Sequence, residues 1–180
     1  MRYSRLLLII LSSLCFAAAA HAQQSQVCTL TVEQAPELRG FRLGMTLGQV
    51  NSRLPSLQLK NGQFGRTTAT LNAVELSKTG ITGLEGVGRI NLDFVDEHLA
   101  SFTIFYSNSI RWANGAQFAA RVADALKLPA AWQNDSTMEC DGYKIIVYPN
   151  SITMTMTQPY KIVQQRQAEQ EERERQSFRP

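Results

Sequence analysis

The chain has 180 residues, with 18 Lys+Arg against 15 Asp+Glu. Taking away Arg2 and Arg5 with the leader described next leaves 16 basic against 15 acidic residues, a near-neutral balance that gives no case for a nucleic-acid surface. No stretch beyond that leader is long and apolar enough to cross a bilayer, which takes about 20 residues.

Residues 1–22 read as a secretory signal peptide. Arg2 and Arg5 supply the positive start, Leu6 to Phe16 the apolar run, and Ala20-His21-Ala22 a small-residue cleavage site. A lipid anchor is not expected, because bulky Leu14 precedes Cys15, and Gln26-Val27 before Cys28 fit no better. Cleavage leaves 158 of the 180 residues, enough chain for one domain with its own core. Cys28 and Cys140 then remain. In an oxidising compartment they are a candidate disulfide, the alternative being two separate thiols.

After a lead-in over 23–39 (polar Gln-Gln-Ser-Gln, a short β-branched piece around Val27–Val32, then Ala35-Pro36), the segment Gly40–Pro55 carries agreeing local signals. Thr46 is placed as an N-cap with Gln49 three residues on, a capping box. Met45 and Val50 are spaced as a hydrophobic staple. Leu47, Val50 and Leu54 share one helical face, Pro55 stops the run, and Gly44 permits the entry turn. From Leu57 to Ser77 a Thr-rich pattern with Leu71, Val74 and Leu76 is read as strand. Gly80, Gly83, Gly86 and Gly88 then interrupt regular structure, without the lysine and helix of a phosphate-binding loop.

Alternation is clear from Arg89 to Val95 and from Leu99 to Tyr106, on either side of Asp96-Glu97-His98. This predicts an antiparallel hairpin with one buried side. Asn114 caps a second helix with Phe118, Val122, Ala125 and Leu126 as its stripe and Pro129 as its stop. Trp112 and Trp132 flank it. Strands at 136–140 and 143–148 meet at Asp141-Gly142, a type I′ turn signal, and Ile152–Thr157 alternates Ile152, Met154 and Met156 with Thr153, Thr155 and Thr157.

The expected fold is therefore α+β: an antiparallel sheet of hairpins with two short helices packed on one face, plus a polar C-terminal helix. One domain is expected over 23–160. Both helices end in Leu-Pro and lead into strands, which suggests two related halves. Residues 161–180 are Gln-rich and charged, with Glu169–Arg173 and Glu171–Arg175 spaced as ion pairs. The reading is a projecting helical or disordered tail with no face to bury, the alternative being a partner-binding arm.

Chemistry-bearing residues are sparse. Outside the leader His98 is the one histidine, with Asp93 and Asp96 near in sequence and no nucleophile elbow beside it. One histidine and two distant cysteines do not make a usual zinc set. Asp93, Asp96, Glu97, Asp135, Glu139 and Asp141 flank the hairpins without an EF-hand pattern, so no cofactor or metal is expected. What remains is surface: Lys144, Ile146 and Tyr148 on the outer face of the late strands, and Arg111-Trp112, residue types that anchor interfaces or, for Trp112, a core.

The piece Leu43-Gly-Met-Thr-Leu-Gly-Gln-Val-Asn-Ser-Arg-Leu-Pro55 resembles the Gly-Met-Thr-x-x-Gln-Val helix opening of the SmpA/BamE family, small envelope lipoproteins that help assemble outer-membrane proteins. The helix-plus-antiparallel-sheet architecture also resembles that of β-lactamase inhibitory protein. The chain departs from the family pattern in lacking a lipidated cysteine at its mature amino terminus and a glycine after Leu54. The expected function is an exported, non-enzymatic module, periplasmic or secreted, that binds an envelope or extracellular protein. The alternatives are a secreted enzyme inhibitor and, in third place, a hydrolase using His98.

Overall fold

The computed structural model describes residues 27–55, 57–80, 82–107, 114–129, 132 and 136–178. The segment 1–22 expected to be a signal peptide, together with Arg111, Trp112 and Asp135, lies outside the described residues.

Seven antiparallel strands form one sheet. A first run holds β1 (Leu59–Asn61), β2 (Arg66–Asn72), β3 (Val87–Val95) and β4 (His98–Tyr106), and a second holds β5 (Thr137–Glu139), β6 (Tyr143–Tyr148) and β7 (Ser151–Met156). The spatial order β1-β2-β3-β4-β7-β6-β5 shows that each run is a meander and that they join at one seam, β4 against β7. Helix α1 (Leu47–Arg53) precedes the first run, α2 (Ala73–Lys78) interrupts it, and α3 (Gly115–Leu126) precedes the second. Helix α4 (Gln158–Ser177) follows β7. The α+β architecture is thus as the alternation of residues implied.

Strand alternation sends Ile90, Leu92, Phe94, Leu99, Phe102 and Ile104 to one side, where they meet Ile145, Val147, Ile152 and Met154 in a single core. The lead-in lies over that side with Leu38, Phe41, Leu43 and Met45. Val50 and Leu54 of the α1 region, Leu76 of α2, and Phe118 and Val122 of α3 complete it. At α1 the capping box forms as its spacing requires: Thr46 Oγ1 accepts from the Gln49 amide at 3.2 Å, and Gln49 Oε1 accepts from the Thr46 amide at 2.8 Å. Asn114 likewise accepts from the Gln117 amide at 3.0 Å. In α3 it is Ala119, not Ala125, that joins Phe118 and Val122 inside, while Ala125 is exposed.

Three further expectations are corrected. The strand expected through Ser77 ends at Asn72, because Asn72 caps α2. Its side chain accepts from the Val74 and Glu75 amides, and Glu75 reaches back to the Asn72 amide at 2.7 Å. That local bonding outweighs the β-branched character of the run, and Val74 is left exposed.

The type I′ signature falls elsewhere than expected. Only Gly142 of Asp141-Gly142 has positive φ (83°), whereas at Asp96-Glu97 both residues do (48° and 63°). A non-glycine residue held there costs roughly 1–2 kcal/mol, so other contacts must hold the turn.

The third correction concerns the segment 161–180, read as a tail with no face to bury. The helix starts at Gln158, and its foot docks on the sheet side opposite the main core. There Val163 packs with Val95, Ala100, Phe64 and Tyr160. Farther along, the expected Glu169–Arg173 and Glu171–Arg175 pairs are replaced by Gln165–Glu169, Gln167–Glu171 and Gln170–Glu174 hydrogen bonds and an Arg175–Glu172 bridge.

Cys28 and Cys140 form a disulfide, with Cα atoms 4.6 Å apart and a sequence separation of 112. It ties the lead-in to the edge of the second meander, beside the Asp141 amide, which donates to the Leu30 carbonyl. Closing so long a loop stabilises by about 2–4 kcal/mol. Urea unfolding with and without reductant is expected to show that loss, and thiol titration to find Cys28 and Cys140 reactive only after reduction. Tyr143 is 1% exposed, its hydroxyl has no hydrogen-bond partner among the described residues, and burial pushes its pKa up. Tyr143→Phe removes an unsatisfied buried group, so the same unfolding measurement should show stability unchanged or raised by up to about 1 kcal/mol.

Candidate functional site

The sheet side away from the main core is polar and largely uncovered. Strand register lines its side chains up in transverse rows. Thr70, Asn91, Thr103, Thr153, Ile146 and Thr137 form one row from β2 to β5; Thr68, Asp93, Ser101, Thr155, Lys144 and Glu139 form the next. Neighbours within the rows bond to each other. Thr70 Oγ1 donates to Asn91 Oδ1 at 3.3 Å, Thr103 and Thr153 hydroxyls are 3.0 Å apart, and Ser101 and Thr155 hydroxyls 2.7 Å. Such pairs fix side chains that would otherwise rotate freely. Toward the far end Arg89 lies over the Phe105 ring at 4.0 Å, with Tyr148 exposed beyond Ser151. Between β2, β3 and β4 the face sinks into a concavity of about 280 Å³.

Of the residues singled out from sequence, Lys144, Ile146 and Tyr148 do share this face, alternating with the buried Tyr143, Ile145 and Val147. Ile146 and Lys144 are half-buried within it and Tyr148 stands at its rim. Cys28 and Cys140 are taken up by the disulfide.

The foot of α4 frames one end of the face through two clasps. In the first, Asp93 receives the Arg66 guanidinium and the Tyr160 hydroxyl, both at 2.6 Å on Oδ2. Burial, reinforced by the Asp93 carboxylate, pushes the Tyr160 pKa up, so the phenol stays a donor. In the second, Arg166 grips Asp96 with two bonds, 2.7 and 2.9 Å, and also reaches the Phe64 carbonyl. A side chain at Gly65 would collide with the Asp96 carboxylate and Arg166, so the glycine keeps this clasp open.

His98 begins β4 and is exposed; its Nδ1 lies 2.8 Å from the Asp96 carbonyl oxygen rather than against a carboxylate. Asp93 and Asp96 are engaged in the clasps. Among the described residues no group of three or more His, Cys, Asp or Glu is gathered to hold a metal ion, and no helix is long and apolar enough to cross a membrane.

A second concavity, which no motif announced, lies on the other layer. Helix α3 and the Glu37–Arg39 segment form its walls, and Tyr106 and Ile152 its floor, enclosing about 410 Å³. Phe118 meets Tyr106 edge-on there, centroids 5.6 Å apart. Arg39 and Arg121 stand at its rim. Only the placement of Arg121 next to the α3 stripe could have pointed to it in the sequence.

Compared with protein-family models, curated proteins and solved structures, the chain matches none.

The Arg166 bond holds the Asp96 carboxyl below its ordinary range. A carboxylate with a depressed folded pKa contributes stability above its unfolded pKa and loses it as pH falls through the folded value. Acidification below the usual aspartate range should therefore loosen the α4 foot. Amide exchange over residues 158–166 is expected to rise on acidification in the wild type. In Arg166→Gln it should already be raised at neutral pH and respond less to acid.

Proposed function

We propose that this is an exported, non-enzymatic module that binds another protein of the envelope or extracellular space through its uncovered sheet face. The observation that carries the reading is the face itself: rows of mutually bonded Thr, Ser and Asn side chains, held rigid by seven strands. The exposed aromatic Tyr148, with Ile146 and Lys144, is placed among them. A rigid surface loses little side-chain entropy on association, and tyrosine is a common interface anchor. The Cys28–Cys140 bridge and the leader-like residues 1–22 support an oxidising, exported setting. The resemblance of Leu43–Pro55 to the SmpA/BamE helix opening supports a role as an accessory in envelope assembly.

The test places a photo-crosslinking phenylalanine analogue at Ile146, at Tyr148 and, as control, at exposed Ser52 of α1. The expected result is one common protein adduct from the two face positions, lost when Lys144→Glu is added and absent from Ser52. Equal adducts from Ser52, or none from the face, would refute the reading.

A further inference from the structure

The groove on the helical layer is independent of the sheet face, since Tyr106 and Ile152 point to the side opposite Thr153 and Ile146. Glu37 and Arg39 also line a second depression of about 570 Å³, where Phe41, Leu84 and Arg53 join them. Apolar floors at two stations with a polar bridge between them suit an extended chain carrying two apolar side chains better than one compact molecule.

Charge sets what lies between those side chains. The rim carries Arg39, Arg53 and Arg121, against Glu37 inside the groove and Glu85 beside it. Arg53 is 3.6 Å from Glu37 and donates to the Gly40 carbonyl. Arg39 donates to the Gly83 carbonyl and lies 5.8 Å from the centroid of the Tyr106 ring. Neither carbonyl neutralises its guanidinium, and Arg121 makes no ion pair among the described residues. An excess of positive charge thus stands over an apolar floor. We infer that this groove is a binding site for an extended peptide segment of a partner protein, one that sets apolar side chains on either side of an acidic residue facing Arg39 and Arg121.

The experiment selects a displayed random-peptide library on the oxidised protein, then measures binding of a labelled selected peptide by anisotropy. Enrichment of sequences with Asp or Glu next to large apolar residues is expected. Binding should weaken about tenfold or more in Arg121→Gln, in Ala125→Arg (which fills the groove from an exposed helix position), and when the peptide's acid becomes its amide. It should be unchanged in Tyr148→Ala, which separates this site from the sheet face. Thermal melts matching wild type show that the variants fold. No enrichment, a neutral or basic consensus, binding indifferent to Arg121→Gln and Ala125→Arg, or uptake of dodecanoate in place of any peptide would each overturn the inference.

Discussion

The turn Asp96-Glu97 is bonded from three directions, and the two layers of the molecule meet there. From the helical layer the Leu47 amide donates to the Glu97 carbonyl at 2.7 Å, and Gly44 and Met45 pair with Leu99. From the first hairpin, the Gly65 carbonyl accepts from the Asp96 amide at 2.9 Å. From the far side Arg166 holds the Asp96 carboxylate. A turn with both central residues in the left-handed region, neither of them glycine, is unfavourable alone. The surrounding bonds make it the tightest available join between β3 and β4, and it fixes where α1 begins and where α4 lands.

That junction explains why one side of the sheet is covered and the other is not. The lead-in enters beside Leu99 and carries α1 across the apolar side, where Phe41 and Phe102 come together at 6.1 Å between centroids. On the polar side, the Val95–Ala100 corner offers α4 a small apolar seat for Val163. Beyond that seat Thr70 bonds to Asn91, Thr103 to Thr153 and Ser101 to Thr155 across the strands.

How much of this could be read from residues alone depended on how far apart the interacting groups lie. The caps at Thr46 and Asn114 were legible because donor and acceptor are three residues apart. The cap at Asn72 obeys the same rule, but the Thr-rich residues before it masked it. The Cys28–Cys140 pair was legible by count and not by geometry. Docking of α4 was illegible: it rests on Tyr160, Val163 and Arg166 in an otherwise polar helix, and Arg166 meets a partner 70 residues away. The shared face of Lys144, Ile146 and Tyr148 followed from simple alternation. The groove did not, since its walls come from α3 and from a segment near residue 37, which only the folded chain brings together.

The single seam between β4 and β7 gives the disulfide a further role. Two meanders joined along one pair of strands are well suited to exchange, each copy lending its second meander to a neighbour and rebuilding the same pairing in trans. A covalent link from the residue that opens the first half to the hairpin of the second makes the intramolecular pairing overwhelmingly favoured by effective concentration. In the oxidised chain the bridge thus opposes strand exchange between copies as well as unfolding, and reduction removes that opposition.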